Sequence, residues 1–521
     1  MLKYPQKDWQ HIASVILFGI LLVLLLHSYY EIGKRIAYEA SGPINVDSPV
    51  YLAVGRGMLN GLMPYQDLYE IKPPGIFLLS AASLSLTGGT QLVSWVQVVT
   101  LLSIFLSVAF PGILLWKKKK ISWLMMLAGL NFGALLTMYA SLRSGAFQVE
   151  SFGAAFACLY ISLITSSGST PMNRIQTILA ACSVAGAVFM KEPFALVLLG
   201  SAILLLPSWH LFWRNALVPA MFAIGLFLVA VAMTGTLVPY FSVYLNEMLF
   251  HHIHGSGPLH ERILSSERIF HDLSTFNKQF AVVIAGLVLF AYVGALRSGQ
   301  AWKRISVTVL ALSLTMAAIA MGGQFYDHHF VFGVPFYASL FLLFLGKESG
   351  VLLRSWCRKF SLVAITIFLV AGLRSLPTII YDSHIEGSRR VIEGMHTMST
   401  KIDEVLNRCS LDRYMFLGAN GYHPYAFTKH SPIGPLFFQF AHYFDGQRPL
   451  FTASFLSNFS EAAIVIRSPQ LFLGKVQNDV ETILATEFTT EPWPCAGNVA
   501  LGGGYTMYFK LKKTPLSVPS S

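Results

Sequence analysis

Residues 91–120 read Gln91-Leu-Val-Ser-Trp-Val-Gln-Val-Val-Thr-Leu-Leu-Ser-Ile-Phe-Leu-Ser-Val-Ala-Phe-Pro-Gly-Ile-Leu-Leu-Trp116-Lys117-Lys-Lys-Lys120. The part before the lysines carries no charged side chain and exceeds the roughly 20 apolar residues that a helix needs to cross a bilayer. Basic residues in short loops favour the cytoplasmic side of a membrane. The stretch therefore predicts a membrane-spanning helix whose last residues face the cytoplasm.

The composition of the whole chain is typical of a polytopic membrane protein. Of its 521 residues, 54% are hydrophobic and 12% are charged, whereas soluble domains are roughly one quarter charged. The net charge of +11 does not indicate a nucleic-acid partner, because the basic residues lie mostly between apolar runs. The five cysteines form no CxxC motif, so neither a disulfide framework nor a zinc ribbon is encoded; only Cys409 and Cys495 are candidates for pairing.

Ten further apolar runs have the length, or nearly the length, of a membrane span. The first, within His11–Tyr30, is followed by no small-residue cleavage site, so we expect a retained anchor and not a cleaved signal peptide. With residues 91–116 there are eleven candidate spans, and the shorter ones borrow residues from their flanks. The others cover residues 121–140, 151–166, 176–190, 194–207, 216–238, 280–296, 305–322, 331–346 and 360–380.

Loop charge sets the predicted orientation. The apolar run Gly75–Thr87 would form a helix only about 20 Å long, too short for a hydrocarbon core of about 30 Å. If it stays on the outer surface, the inside loops hold 15 basic and 2 acidic residues, and the outside loops before residue 381 hold 9 basic and 12 acidic ones. If it crossed, Lys117–Lys120 would face outward, against the positive-inside rule. We therefore expect a cytoplasmic N-terminus and place everything after about residue 380 outside.

Residues 381–521 differ in composition from the preceding chain and predict a small extracytoplasmic α/β domain. Short β-like runs alternate there with helical patterns such as Arg389–Leu406. The β-like runs are Tyr414–Leu417, Ala462–Ile466 and Tyr505–Leu511. The predicted organisation is thus mainly α: a transmembrane domain of about 11 helices at 1–380, with juxtamembrane helices in a first outer loop at 31–90, followed by this domain.

The first outer loop begins with a helix-start signal. Ser48 is predicted to cap a helix of about a dozen residues, with Pro49 at its first position and Gly61 ending it. Its apolar residues suggest a helix lying in the membrane interface; they are Tyr51, Met58, Leu59 and Leu62. Asp47 then lies next to a helix N-terminus, where the helix dipole favours a negative charge.

The same loop presents a lysine from a stiff segment. Lys72 is followed by Pro73 and Pro74, which fix the direction of the chain at the membrane edge. A point charge held there suits a lipid phosphate. For either residue alone, the simpler interpretation is that Asp47 is a helix cap and that Lys72 is a snorkelling residue. The turn Pro64-Tyr65-Gln66-Asp67 between them favours a shared function.

Together these residues resemble the first periplasmic loop of bacterial GT-C glycosyltransferases related to protein O-mannosyltransferases and to the lipid A aminoarabinose transferase. The resemblance covers roughly residues 40–340. It implies a GT-C fold and an enzyme of the inner (plasma) membrane that moves a sugar from a polyprenyl-phosphate carrier to an envelope acceptor on the outer side. The later motifs are Gln148-Val-Glu150-Ser, Met190-Lys191-Glu192-Pro193 and Gly323-Gln-Phe-Tyr326-Asp327-His328-His329.

The resemblance implies roles for single residues. Asp47 would be the general base or would orient the acceptor hydroxyl, and Lys72 would contact the donor phosphate. A leaving phosphate is stabilised by cations and hydroxyl groups, and the further candidates for binding it are Lys191, Arg143, Tyr326, His328 and His329. The candidates for sugar or acceptor contacts are Glu150, Tyr65 and Asp67. Glu150 alternatively orients a lysine or stabilises the N-terminus of its own helix.

The chemistry requires no cofactor, and a divalent metal is the less favoured alternative. His251, His252, His254 and His260 share a predicted outer loop with Glu247, but no closed tetrahedral ligand pattern is present. We therefore assign no metal-binding residues. The expected partners are a polyprenyl-phosphate-linked sugar donor, an envelope acceptor (glycolipid, polysaccharide or protein) and the lipid bilayer.

Two other classes of function stay open. A transporter or flippase of a lipid-linked or amphipathic substrate also has many spans interrupted by Pro and Gly, but it places ionisable groups near the bilayer midplane. A non-catalytic envelope scaffold would leave Asp47 and Lys72 unexplained. The chain also departs from the family pattern: Ile71 separates Glu70 from the lysine, and Ser48 stands where many members have a second acid.

Overall fold

The chain forms two compact units in the computed structural model, which describes residues 6–42, 47–70, 72–144, 147–246, 301–321, 327–347, 366, 369–370, 381–418, 424–435, 449–469, 471 and 473–511. The first, called here the helical unit, comprises Met1–Pro43, Ser94–Ala230 and Met248–His384. The second, called the mixed unit, comprises Ile44–Val93, Val231–Glu247 and Ile385–Ser521. The predicted boundary near residue 380 stays a prediction. The mixed unit shows in addition that most of the first outer loop packs with the C-terminal segment.

The described α-helices are, in chain order, α1 (Gln6–Ala40), α2 (Ser48–Leu59), α3 (Pro74–Thr87), α4 (Gln91–Lys117), α5 (Trp123–Ser144), α6 (Val149–Ser167), α7 (Arg174–Met190), α8 (Phe194–Leu205), α9 (Trp209–Met233), α10 (Ala301–Ala320), α11 (Gly333–Lys347), α12 (Tyr381–Arg408), α13 (Pro449–Glu461) and α14 (Gln477–Glu487). Short π-helical turns lie within α9, at Trp213–Leu217, and at Tyr240–Tyr244. A 3-10 helix, Asp327–Phe332, leads directly into α11.

The predicted polytopic membrane class is confirmed. Among the described residues, six helices are long and apolar enough to cross a bilayer: α1, α4, α5, α6, α9 and α10. Helices α7, α8 and α11 coincide with three of the shorter predicted spans. The candidates at 280–296 and most of 360–380 lie outside the described residues, so the number of eleven spans stays a prediction. Helix α3 has 14 residues and is a short apolar helix, as expected for a segment that does not cross.

The described part of the helical unit has an apolar core and apolar outer faces. Phe132 of α5 stacks on Phe341 of α11 with ring centroids 4.2 Å apart, and Phe194 meets Phe332 at 4.7 Å. Large side chains such as Val23 and Phe222 are instead more than 60% exposed. Contiguous apolar faces of this kind are typical of contact with lipid.

The mixed unit contains a five-stranded sheet, which confirms the predicted C-terminal α/β fold. The strands are β1 (Arg413–Leu417), β2 (Ser431–Pro432), β3 (Ile464–Arg467), β4 (Phe488–Thr489) and β5 (Thr506–Lys510), in the order β2-β1-β3-β5-β4. The β1–β2 and β1–β3 pairs are parallel, and β5 pairs antiparallel with β3 and β4. The three predicted β-like runs coincide with β1, β3 and β5.

Two further contacts hold the mixed unit together. Cys409, just after α12, forms a disulfide with Cys495, with a Cα–Cα distance of 5.2 Å. Tyr69 of the first loop lies 4% exposed in the core of the sheet domain, and its backbone N–H donates to the Pro435 carbonyl at 2.8 Å. The loop and the C-terminal domain therefore share one apolar core.

Candidate functional site

Helix α2 begins one residue earlier than the sequence suggests, and Asp47 stands directly before its first residue. The helix begins at Ser48, and the Asp47 carbonyl accepts the N–H groups of Val50 and Tyr51 at 3.0 and 3.2 Å. Asp47 is thus the N-cap residue, and its carboxylate makes no capping hydrogen bond. The prediction that Ser48 caps this helix is wrong, because Ser48 is already helical.

The other end of α2 follows the prediction. Gly61 has φ +81°, the left-handed conformation that favours glycine after a helix. The Leu62 N–H donates to the Gly57 carbonyl at 2.9 Å, which satisfies one of the last carbonyls of the helix.

Helix α2 is buried inside the mixed unit along most of its length. Tyr51 is 1% exposed, and every residue from Ser48 to Gly55 is buried. Gly55 touches α3 so closely that an added Cβ would lie 2.6 Å from the Ala81 backbone nitrogen. The predicted interfacial position is therefore wrong for Tyr51, which protein covers, whereas Leu59 at the other end of the helix is 43% exposed.

The loop between α2 and α3 is built by Tyr65 and Asp67. The Asp67 carboxylate accepts the Met63 N–H at 2.8 Å, and the Tyr65 N–H donates to the Leu68 carbonyl at 2.7 Å. Tyr65 has φ +70°, a conformation uncommon for a non-glycine residue. Its ring is 3% exposed and packs against Phe77, Tyr240 and Tyr244, with centroids 6.1, 6.1 and 4.9 Å away.

Lys72 lies at the end of this loop, directly before α3. The Tyr65 hydroxyl donates to the Lys72 carbonyl at 2.8 Å. Pro73 is the N-cap residue in an extended conformation, and Pro74 is the first residue of α3. The Lys72 side chain is half-buried, and Glu70 is 5% exposed. Both of the principal predicted residues, Asp47 and Lys72, therefore adjoin the N-termini of two packed helices.

In the helical unit, Glu150 and Lys191 form an ion pair. The Lys191 ammonium lies 3.3 Å from Glu150 Oε1, and the two side chains are 16% and 1% exposed. Glu150 is in the first turn of α6, and Lys191 is the C-cap of α7. Each charge has the sign that the helix dipole favours at its end. The pair fits both alternatives for Glu150, a carboxylate that orients a lysine and one that stabilises the N-terminus of its own helix, so the role of Glu150 stays a prediction.

His328 and His329 lie beside the same carboxylate. Both belong to the 3-10 helix, which buried Val331 and Phe332 anchor in the core. His329 is 6% exposed and His328 is half-buried. One potential ligand atom of each histidine and of Glu150 all lie within 4.8 Å of one another. The sequence did not predict this grouping of Glu150 with the two histidines.

Several predicted residues stay outside the description. Tyr326, Glu247 and the histidines at 251, 252, 254 and 260 fall on residues that are not described. Arg143 lies in the last turn of α5, but its side chain is not described. The roles predicted for all these residues, and for Tyr65 and Asp67 toward a sugar or acceptor, stay predictions.

The mixed unit also contains a charged cluster that the sequence did not reveal. Asp403 of α12 accepts the Lys429 N–H at 3.0 Å, and His430 Nδ1 lies 2.7 Å from its Oδ1. Arg56 of α2 interacts electrostatically with Asp403, and burial lowers the pKa of its guanidinium. Burial and then the charge of Arg56 lower the pKa of His396 below its usual 6.5. The sequence gives no signal for this cluster because its members come from separate segments.

Solved structures similar to this chain include ArnT and an oligosaccharyltransferase. ArnT from Cupriavidus metallidurans bound to undecaprenyl phosphate matches 98% of this chain over 99% of its own length, with 10% identity and a TM-score of 0.49. The oligosaccharyltransferase of Archaeoglobus fulgidus in complex with Zn and sulfate matches 86% of this chain over 67% of its own, with 12% identity and a TM-score of 0.45. No protein-family model matches the sequence, and no curated protein sequence matches it.

Proposed function

We propose that this protein is an inverting glycosyltransferase that moves a sugar from a polyprenyl-phosphate donor to an envelope acceptor outside the membrane. In this reaction an acceptor oxygen bonds to the anomeric carbon as the bond from that carbon to the phosphate oxygen breaks. Asp47 takes the proton of the acceptor hydroxyl, and the polyprenyl phosphate leaves with the bonding electron pair. Lys72 stabilises the charge that develops on this phosphate.

The observation that carries the proposal is how Lys72 is held. Its backbone is tied by the Tyr65 hydroxyl on one side and continues into Pro73 and the start of α3 on the other. A backbone fixed in this way sets the point from which the ammonium extends, which is one part of preorganising a charge for a phosphate. Lys191, Arg143, Tyr326, His328 and His329 are the further residues proposed to bind the donor phosphate.

The placement of charge in the described helices supports an enzyme over a transporter or flippase. In α4, α5, α6 and α10 the charged residues lie in the first or last turn of the helix, as Glu150 and Lys303 do. A transporter needs ionisable groups near the bilayer midplane. The Cys409–Cys495 disulfide supports the proposed location of the C-terminal domain outside the cytoplasm, because disulfides persist in oxidising compartments.

The experiment is a transfer assay in membranes that contain the full chain, with a panel of radiolabelled polyprenyl-phosphate sugars. The test variants are Asp47→Asn, Lys72→Ala and Lys72→Arg. We expect Asp47→Asn to lower the rate at least about 100-fold, since general bases contribute on that scale. Lys72→Ala should lower it comparably, and Lys72→Arg should retain part of the activity because it keeps the charge.

Matched controls separate a site effect from a general loss of charge. Asp412→Asn and Lys118→Ala change exposed residues of the same types, and both should transfer sugar as the unaltered chain does. Comparison of the anomeric configuration of donor and product by NMR tests inversion. Transfer that survives both Asp47→Asn and Lys72→Ala would contradict the site, and accumulation of intact donor across the membrane without transfer would favour a flippase.

A further inference from the structure

Glu150, His328 and His329 form a compact set of metal-ligand side chains in the helical unit. One nitrogen of each histidine and one carboxylate oxygen all lie within 4.8 Å of one another. The set joins the first turn of α6 to the 3-10 helix before α11. Glu150 and the histidines are far apart in the sequence, so only the fold brings them together.

The burial of these side chains fits a site that is held on one side and open on the other. Glu150 is 1% exposed and His329 is 6% exposed, whereas His328 is half-buried. The apolar side chains of Val331 and Phe332, exposed by 0% and 2%, fix the 3-10 helix in the core. Two ligands are therefore preorganised, and the more accessible His328 has room to adjust.

The dimensions are compatible with one ion after small side-chain rotations. Zinc binds histidine nitrogen at about 2.0–2.1 Å and carboxylate oxygen at about 2.0–2.2 Å, so its tetrahedral ligand atoms lie about 3.4 Å apart. The observed upper limit of 4.8 Å requires the ligand atoms to approach by no more than about 1.4 Å on that scale. Rotation of the His328 side chain moves its ring by such a distance.

Lys191 provides the outer partner that such a site needs. Its ammonium lies 3.3 Å from Glu150 Oε1, and a carboxylate has lone pairs enough to accept an ammonium while also binding a cation. Outer partners of this kind orient the ligating carboxylate. With the carboxylate at −1, the ammonium at +1 and a divalent ion at +2, the group carries a net charge near +2. It would therefore attract an anionic oxygen to an open coordination position.

We propose that Glu150, His328 and His329 bind one divalent transition metal of the zinc class and leave a coordination position that takes a phosphate oxygen. Two imidazoles and one carboxylate are the donor set of catalytic zinc sites with an open fourth position. Magnesium and calcium prefer oxygen ligands only, so they are poor occupants. Metal binding itself is independent of the proposed transferase activity. The phosphate step rests on that function, and in it His328 and His329 act on the donor phosphate through the bound ion.

The test uses the full chain purified in detergent, stripped of metal with a chelator and titrated with Zn²⁺ and Mg²⁺ by calorimetry. We expect one Zn²⁺ per chain and at least 100-fold weaker binding of Mg²⁺. Glu150→Gln and His329→Gln should each weaken Zn²⁺ binding at least 10-fold. His328→Gln, at the more accessible position, is the variant least able to disturb folding and should have the same effect.

Controls address the other histidines of the chain. His210→Gln changes an exposed histidine of α9 and should leave binding unchanged, as should the double variant His251→Gln/His252→Gln. Binding that disappears in the double variant and survives His328→Gln and His329→Gln would overturn the proposal. A chain that folds but holds no zinc would overturn it too.

A spectroscopic measurement tests the open position without any sugar donor. Co²⁺ in place of zinc gives visible absorption bands that report its coordination. Inorganic phosphate should shift these bands in the unaltered chain. If Co²⁺ binds and phosphate leaves the spectrum unchanged, the metal site stands and its phosphate step is wrong. Asp47→Asn separates this proposal from the proposed transferase function. It should lose sugar transfer and keep metal binding.

Discussion

The Tyr65 hydroxyl donates a hydrogen bond to the Lys72 carbonyl oxygen at 2.8 Å, from a ring that is 3% exposed among three other aromatic rings. This bond connects the two halves of the loop motif. It makes Tyr65 a positioning residue for Lys72: the tyrosine fixes the backbone from which the ammonium extends. A substitution that removes only the hydroxyl isolates this role.

Tyr65→Phe is expected to lower the free energy of unfolding by about 1 kcal/mol, the scale of one internal hydrogen bond. Sugar transfer should fall about 10-fold, mainly through a weaker apparent affinity for the donor, because Lys72 loses its fixed backbone. Thermal unfolding and steady-state kinetics measure the two effects. Tyr30→Phe, on the exposed side of α1, is the control. Unchanged donor affinity in Tyr65→Phe would contradict the positioning role.

The contact between α2 and α3 predicts a strong effect at Gly55. An added Cβ would lie 2.6 Å from the Ala81 nitrogen and 2.7 Å from the Ser80 Cβ, so the two helices must separate. Gly55→Ala should therefore lower the free energy of unfolding by about 1–3 kcal/mol and reduce transfer. Gly225→Ala is the matched control, because its Cβ meets nothing within 4 Å. Equal melting temperatures for the two variants would exclude this close packing.

The disulfide predicts that the stability of the mixed unit depends on redox conditions. Cys409 and Cys495 are 86 positions apart, and a crosslink over a long loop typically contributes about 2–4 kcal/mol by restricting the unfolded chain. The double variant Cys409→Ser/Cys495→Ser should melt earlier and no longer respond to a reducing agent. Cys182→Ser, which changes an exposed free thiol of α7, should behave as the unaltered chain. If a reducing agent left the melting temperature of the unaltered chain unchanged, this would be evidence against the disulfide.

His396 predicts a pH dependence of stability. Burial and the charge of Arg56 lower its folded pKa below the ordinary 6.5, so between these two values the unfolded chain binds more protons than the folded chain. The free energy of unfolding therefore falls as the pH drops below about 6.5. His396→Gln should reduce this fall, as measured by thermal unfolding between pH 7.5 and pH 5, a range chosen to bracket about 6.5. His210→Gln should keep it, and a fall of the same size in both variants would reject the assignment.

The extent of agreement between sequence and structure differs among elements. The apolar runs at 91–116 and 121–140 predicted α4 and α5 within a few residues, because hydropathy over one segment suffices to recognise a spanning helix. Pro49 and Gly61 similarly predicted where α2 begins and ends to within a residue, because helix caps depend on adjacent residues. The interfacial placement of Tyr51 failed, because an apolar helix face looks the same whether lipid or protein covers it.

The sequence by itself determined the polytopic helical class, the strands of the C-terminal domain and the residues Asp47 and Lys72 as a motif, because each depends on side chains that are close in the chain. Only the tertiary structure decided that the first loop shares a core with the C-terminal sheet through Tyr69, and that Glu150 meets Lys191 and two histidines. Such contacts join distant segments. They follow from how whole elements pack, which no local pattern of residues encodes.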